Sequence, residues 1–170
     1  GKAIEIVQTF ADTPRDRTRF EWVVARYKEV LGIDIELNPV EPTTYTGLTK
    51  DINTAPQMFF LGWCGDYPDP QNWLSVYWRT GGFAERIGYS NAEMDRLLAE
   101  GDKELDPVKR MELYAQAQEL LITGADVAFL YNRVNAYMVK PWVKGVLPGA
   151  FDCLFAGDTN PFTITIENDQ

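Results

Sequence analysis

Histidine is absent from this sequence, and cysteine occurs only twice, at Cys64 and Cys153. Without histidine the chain cannot form a Ser/His or Cys/His nucleophile pair, a histidine general base or a histidine metal site. Two cysteines are too few for a Cys-rich zinc site, and neither an EF-hand loop nor a P-loop pattern occurs. These absences count against most classes of enzyme, and we expect neither a metal nor a cofactor.

Basic residues are scarce as well, with 16 Lys and Arg against 25 Asp and Glu, which gives a net charge of −9. Such a charge repels nucleic acids and anionic membrane surfaces at long range, so we expect no nucleic-acid partner. A cationic or zwitterionic ligand is compatible with it. No stretch approaches the roughly 18 to 20 consecutive apolar residues of a membrane span, and the N-terminus shows no signal-peptide core.

The 170 residues, 45% of them apolar, predict one main folded domain. An apolar run at residues 4–7 predicts a strand, and Thr13-Pro14 predicts the start of a helix that ends at Gly32. The strict alternation of residues 33–37 predicts a second strand. A strand, a helix and a strand within so short a segment form a βαβ unit with parallel strands, which indicates an α/β fold.

Capping signals predict further helices along the chain. Asp69-Pro70 and Asp106-Pro107 each combine a cap residue with proline at the first helical position, and Ser90 with Glu93 forms a capping box. We expect the helix after Asp69 to run through Trp78 and the helix after Asp106 to end near Gly124. A short helix is also expected within residues 42–52, and strands are expected over residues 57–61, 127–131, 136–139 and 162–166.

Residues 62–70 form the segment whose composition is hardest to explain by packing alone. They follow the strand predicted at 57–61, and open α/β sheets generally bind ligands at the carboxyl ends of their strands. Asp66 stands between Trp63 and Tyr67, so its carboxylate could receive a ligand ammonium bordered by aromatic rings. A charge-assisted hydrogen bond of this kind contributes about 1.5 to 3 kcal/mol. The alternative from residue chemistry is that Asp66 merely caps a turn.

Three other patterns leave alternatives open. Asp66 with Asp69 could act as the acid and base of a glycosidase, although Asp69 is better explained as a helix cap. Cys64 and Cys153 could form a disulfide, which would stabilise the fold by about 4 to 5 kcal/mol by closing a long loop, or they could be two buried thiols. Aromatic side chains could line a pocket or belong to the core, namely Trp63, Trp73, Tyr77, Trp78 and Tyr89.

Four blocks of residues occur in a recognisable order. They are Gly62-Trp63-Cys64-Gly65-Asp66-Tyr67-Pro68-Asp69-Pro70, then Gly88-Tyr89-Ser90-Asn91 with Asp95, then Arg110 with Leu113-Tyr114, and finally Val139-Lys140-Pro141-Trp142-Val143-Lys144-Gly145. Together these blocks resemble the bacterial extracellular solute-binding proteins of family 5, which are the oligopeptide and dipeptide receptors of ABC importers. The resemblance covers nearly the whole chain.

The resemblance implies a lobe like those of type II periplasmic binding proteins, with a mostly parallel sheet flanked by helices. It implies that Asp66 receives the α-ammonium of a bound peptide, that Cys64 and Gly65 offer backbone groups to the peptide, and that Trp63 and Tyr67 border the ligand. In the oligopeptide receptors the motif cysteine forms a bridge to a cysteine at the start of this lobe. Residues 1–10 contain none, which leaves Cys153 as the available partner.

Members of the family have two lobes that close around the ligand, and the resemblance implies that this chain is the second, C-terminal lobe. We therefore expect residues 1–145 to form the ligand-binding lobe and residues 146–170 to form a tail that returns to the missing first lobe. The implied function is peptide binding without catalysis, followed by delivery to the membrane permease of an ABC importer. The implied location is extracytoplasmic, in the periplasm or, as a lipoprotein, on the cell surface of a bacterium. The alternative is a carbohydrate-active enzyme or a sugar-binding module that uses Asp66 and the nearby aromatics.

Overall fold

The computed structural model describes residues 5–132, 134, 136–146 and 161–167. The chain divides into two compact units, one within Gly1–Gly62 and Phe83–Ser90 and the other within Trp63–Gly82 and Asn91–Gln170. Most of the predicted tail, residues 146–170, lies outside the described residues. The boundary expected at residue 145 therefore stays a prediction.

The first unit is built on a parallel sheet. Its strands are β1 (Ile6–Ala11), β2 (Ile35–Val40) and β3 (Met58–Phe59), in the order β2-β1-β3, and both pairings are parallel. Helix α1 (Pro14–Leu31) connects β1 to β2, and helix α2 (Pro42–Leu48) follows β2. The structure thus confirms the α/β class and the parallel βαβ unit that the sequence predicts.

Helix α1 begins and ends where its capping residues indicate. The hydroxyl of Thr13 accepts a hydrogen bond from the Asp16 N–H at 3.1 Å, and Pro14 occupies the first turn. Gly32 has a left-handed backbone with φ 69°, and its N–H donates to the Lys28 carbonyl. That φ favours glycine, because a Cβ there is strained.

Side chains complete the pairing around β3, which is shorter than the strand predicted over residues 57–61. The phenol oxygen of Tyr45 accepts from the Phe60 N–H at 3.0 Å and donates to the Phe60 carbonyl. The Gln57 amide accepts from the Val7 N–H at 2.8 Å and donates to the Glu5 carbonyl at 3.2 Å. The side chains of Tyr45 and Gln57 thus satisfy backbone groups of Phe60, Glu5 and Val7 beside the two ends of β3.

The second unit is mainly helical. Its helices are α3 (Pro70–Trp73), α4 (Ser75–Trp78), α5 (Ala92–Gly101) and α6 (Pro107–Gly124), and β4 (Val143–Lys144) pairs antiparallel with β5 (Thr165–Ile166). Helices α5 and α6 pack against each other. Their facing apolar positions are almost completely buried and form the core of the unit, with Met94, Leu97, Leu98, Tyr114, Ala117 and Leu121.

Two predictions of helix boundaries in this unit are wrong in detail. The helix expected from Asp69 through Trp78 is interrupted at Leu74, whose backbone has φ −105° and ψ −68°. The cap of α5 is Asn91 rather than Ser90, because the Asn91 side-chain oxygen accepts from the Glu93 and Met94 N–H groups at 3.0 and 3.1 Å. The amide one residue later therefore takes the role predicted for the serine hydroxyl.

The strands expected over residues 127–131 and 136–139 are also wrong. None of the described residues in these ranges is in a strand. Their side chains are apolar and, apart from the half-buried Val127, exposed, as with Phe129 at 62% and Met138 at 103%. The segment has the composition of a strand, but a strand forms only beside a neighbour that pairs with its backbone. Within the part of the chain that the structure describes, no helix is both long and apolar enough to span a bilayer.

Candidate functional site

The segment from Trp63 to Pro70 leads directly into helix α3 and is organised by one buried side chain, that of Asn72. Asn72 is only 1% exposed. Its side-chain oxygen accepts from the Trp63 indole N–H at 2.9 Å and from the Asp66 backbone N–H at 3.1 Å. Its side-chain nitrogen donates to Oδ2 of Asp66 at 3.2 Å. One amide thus joins the indole, the backbone and the carboxylate of this segment.

Asp66 is an exposed residue whose carboxylate has only part of its hydrogen-bonding capacity in use. Oδ2 accepts from Asn72. Among the described residues, no Lys or Arg forms an ion pair with Asp66 and no group donates to its Oδ1. An ionised carboxylate accepts several hydrogen bonds, so Asp66 can bind a cationic donor that comes from outside these residues.

Aromatic rings lie within the segment and in contact with it. The Trp63 and Tyr77 rings meet edge to face at a centroid distance of 5.3 Å, and Tyr77 contacts Trp78 at 4.8 Å. The Tyr67 hydroxyl donates to the side-chain oxygen of Gln71. Of these rings Trp78 is buried and Trp63 is half-buried, whereas Tyr67 is 40% exposed. The core interpretation therefore fits Trp78, while Trp63 and Tyr67 keep surface that a ligand could contact.

Gly65 lies directly against the Trp73 indole. A Cβ built at Gly65 would stand 2.1 Å from Cη2 and 2.3 Å from Cζ2 of that ring. Real Cβ atoms do not approach so closely. Only glycine at position 65 therefore allows the backbone and the Trp73 ring to lie this close together. The predicted role of Gly65, a backbone group offered to a ligand, stays a prediction.

Asp69 is held in place by Arg110 and acts as the cap of α3. Its Oδ1 accepts from the Gln71 N–H at 2.9 Å. The Arg110 guanidinium donates to both carboxylate oxygens of Asp69, at 2.9 and 2.8 Å. The hydrogen bonds from Arg110 are the main cause that holds the pKa of Asp69 below its usual value. The Gln71 N–H and the charge of Arg110 lower this pKa further, while partial burial acts in the opposite direction. Asp69 thus stays ionised at neutral pH and is unsuited to be the general acid of a glycosidase.

Arg110 is itself anchored on helix α6 and extends this network. It donates to the Gly101 carbonyl at 3.2 Å and to the Tyr114 hydroxyl at 3.0 Å. The Tyr114 hydroxyl donates to Asp102, and burial together with that bond raises the pKa of Tyr114 to about 12. Arg110 and Tyr114, which the sequence singles out only through the family resemblance, thus join α3 to α6.

Cys64 is exposed and disulfide-bonded. Its predicted partner, Cys153, lies outside the described residues, and the pairing stays a prediction. Among the residues that the structure covers, no group of three or more His, Cys, Asp or Glu side chains could hold a metal ion.

Sequence reasoning missed Asn72, the residue that organises the segment. The available signal was its position in a short helix, three residues after the cap Asp69 and directly before Trp73 and Leu74. A polar side chain placed on the buried face of such a helix needs hydrogen-bond partners nearby. The strand-to-helix segment next to it offers them.

Replacing Gly65 with alanine tests the contact with Trp73. Because the new Cβ overlaps the indole ring, we expect the ring to move and the free energy of unfolding to fall by about 1 to 3 kcal/mol, as overpacking does. Urea unfolding and tryptophan fluorescence measure the two effects. The matched control is Gly62→Ala, since a Cβ at Gly62 meets nothing within 4 Å. Equal effects of the two substitutions would contradict the contact.

Comparison with known proteins shows which proteins this chain resembles. No family model matches the chain. Over 130 residues the chain is 32% identical to the oligopeptide-binding protein OppA of Bacillus subtilis, covering 76% of this chain and 24% of that protein. Over 127 residues it is 32% identical to the periplasmic oligopeptide-binding protein OppA of Salmonella typhimurium, covering 72% of this chain and 22% of that protein. The solved structure of the Escherichia coli murein tripeptide binding protein MppA superposes with a TM-score of 0.80 at 22% identity, covering 98% of this chain and 31% of that one.

These comparisons confirm the fold and the family expected from the sequence blocks. The structural match shows the fold of a type II periplasmic binding protein. The chain spans about a quarter of the length of the curated relatives it matches. The chain belongs to the family of the oligopeptide- and dipeptide-binding proteins, the extracellular solute-binding proteins of family 5, and corresponds to a part of them.

Proposed function

We propose that this chain is one ligand-binding lobe of a peptide-binding protein and that Asp66 binds the α-ammonium of the peptide. The observation that carries the proposal is the exposed Asp66 carboxylate, held by the buried Asn72 with Oδ1 left for a further donor. The names of the relatives, oligopeptide-binding proteins, support a peptide as the source of that donor.

The chemistry of the site suits an ammonium group. An ammonium carries three N–H donors and a full positive charge, and a carboxylate offers acceptors of the opposite charge. Such a charge-assisted hydrogen bond contributes about 1.5 to 3 kcal/mol. Trp63 and Tyr67 supply apolar and aromatic surface beside it, and Cys64 and Gly65 supply backbone groups for the peptide main chain.

In this proposal the chain is the second of two lobes, and binding occurs when the lobes close on the peptide. Closure removes water from the Asp66 ion pair and so strengthens its electrostatic attraction. The closed protein then delivers the peptide to the membrane permease of an ABC importer. A location outside the cytoplasm is supported by the name of the Salmonella relative, a periplasmic protein.

The proposed function involves no catalysis. The Asp69 carboxylate that could have served as the partner of Asp66 in glycoside hydrolysis is bound at both oxygens by Arg110 and caps α3. What the site offers is one accessible carboxylate in a fixed position, which is suited to binding a cation. Glycoside turnover that is lost in Asp66→Asn would overturn the proposal.

The experiment that tests the proposal compares a peptide with a free N-terminus and the same peptide acetylated there. We expect the chain to prefer the free amine by roughly 10-fold or more, the affinity equivalent of one charge-assisted hydrogen bond. Asp66→Asn should remove that preference, because it deletes the charge and changes the shape little. Binding is measured by NMR titration at millimolar peptide, since a single lobe supplies half of the site.

The control for that experiment is Asp34→Asn, which changes the net charge equally at an exposed carboxylate paired only with Lys28 among the described residues. It should leave the preference for the free amine intact. Loss of the preference in both variants would show a long-range effect of net charge and would contradict a specific role for Asp66.

A further inference from the structure

We infer that Asn72 is the positioning residue of the ammonium site, and that the preference for a free amine depends on its side-chain amide. The inference rests on the proposed function of Asp66 and extends it to a residue that does not touch the ligand. Asn72 is 1% exposed, so it acts through the groups that it holds.

The hydrogen bonds define how Asn72 holds the site. Its oxygen accepts from the Trp63 indole and from the Asp66 N–H, at 2.9 and 3.1 Å, while its nitrogen donates to Oδ2 of Asp66 at 3.2 Å. Rotating the amide by half a turn would bring its NH₂ against two N–H donors and its oxygen against a carboxylate. The surroundings therefore enforce one orientation of the amide.

Asp66 is thus held at two points by a single residue. The bond to its backbone N–H fixes where the side chain starts, and the bond to Oδ2 fixes the rotation of the carboxylate. With Oδ2 engaged, Oδ1 is the oxygen that receives no hydrogen bond from the described residues. A ligand then meets a carboxylate that is already oriented, and binding does not require ordering it.

Asn72 also couples the carboxylate to the aromatic border of the site. The oxygen that accepts from Asp66 accepts from Trp63 as well, and the Trp63 ring contacts Tyr77. Asn72 is in turn placed by α3, whose cap, Asp69, forms an ion pair with Arg110. The Asn72 amide thereby links the α3–α6 contact, made by Asp69 and Arg110, to Asp66 in the ligand site.

Asn72→Leu tests the inference, because leucine has a similar shape and none of the three hydrogen bonds. We expect the preference for the free amine over the acetylated peptide to fall from roughly 10-fold or more to near parity. Ser75→Ala is the matched control: Ser75 is equally buried, and its hydroxyl donates to Asp102, outside the segment from Trp63 to Pro70. This control loses a buried hydrogen bond but should keep the preference, which separates positioning from general destabilisation.

A second measurement needs no substitution at Asn72 and remains decisive if Asn72→Leu does not fold. In the wild-type chain the side-chain NH₂ signals of Asn72 should shift when free-amine peptide is added and shift less with acetylated peptide. They should also differ in Asp66→Ala, which removes the carboxylate that Nδ2 contacts.

The outcomes separate this inference from the proposed function. No preference for the free amine in the wild-type chain overturns the role of Asp66 and the inference with it. A wild-type preference that persists in Asn72→Leu overturns the inference alone, as do Asn72 NH₂ signals that respond neither to free-amine peptide nor to Asp66→Ala. A preference lost in Asn72→Leu and kept in Ser75→Ala supports both.

Discussion

Replacing Arg110 with methionine is expected to lower the free energy of unfolding by about 2 to 4 kcal/mol, as loss of a partly buried, multiply bonded charge does. Arg110 forms a two-bond ion pair with Asp69 and also donates to Gly101 and Tyr114. Methionine keeps much of the apolar stem and removes all of these donors. Urea unfolding of the wild-type chain and the variant measures the difference.

The loss of stability in Arg110→Met should depend on pH. Because Arg110 holds the pKa of Asp69 below its usual value, this pair stabilises the fold above about pH 4, the ordinary aspartate value. Its contribution disappears as the pH falls through the lowered pKa of the folded state. The gap between the wild type and Arg110→Met should therefore narrow in acid. A gap that is constant between neutral and strongly acidic pH would contradict the ion pair as its main source.

Arg26→Met is the matched control for Arg110→Met. Arg26 pairs with Glu29 on the surface of α1, where their side chains are 49% and 66% exposed. Those of Arg110 and Asp69 are only 24% and 35% exposed. Surface pairs contribute about 0 to 1 kcal/mol, so Arg26→Met should change the free energy of unfolding little. A comparable loss of unfolding free energy in both variants would mean that the Arg110 ion pair contributes no more than a surface pair does.

Removing the predicted disulfide by Cys64→Ser and Cys153→Ser is expected to cost about 4 to 5 kcal/mol of stability, because the bridge closes a long loop and restricts the unfolded chain. Cys64 is disulfide-bonded, and Cys153 is the other cysteine of the sequence. Urea unfolding with and without reductant measures the effect. Reductant should destabilise the wild-type chain and leave the double variant unchanged.

The pairing itself is tested by digesting the chain without reductant and weighing the fragments. We expect one fragment in which the Cys64 and Cys153 peptides are linked, and reductant should separate them. Two thiols that react with a thiol reagent in the native chain would contradict the bridge and support the alternative of two free cysteines.

The features that the sequence predicted correctly are governed by local chemistry. Thr13, Asp69 and Asp106 each cap a helix, as expected, since a cap is set by one side chain and the N–H groups two or three residues later. The left-handed turn at Gly32 and the parallel βαβ order follow from equally local patterns. Asp66 could be named as a candidate because its segment has an unusual composition.

The features that were missed depend on contacts that reach beyond the two or three residues of a helix cap. Nothing local to Tyr45 or Gln57 indicates that these side chains pair the backbone beside β3. The organising role of Asn72 depends on where the preceding loop folds back onto α3. The apolar residues of 127–139 satisfy the local requirements of strands, but strand formation also requires a partner, which local patterns do not specify.

The most direct test of the ammonium site is a residue-by-residue amide NMR titration of this chain with one peptide in its free-amine and acetylated forms. We predict that the free-amine peptide shifts the backbone signals of Trp63 through Tyr67 together with the Asn72 side chain, and that acetylation weakens those shifts. Equal shifts with both peptides, or shifts confined to residues away from this segment, would contradict the recognition of a peptide α-ammonium by Asp66.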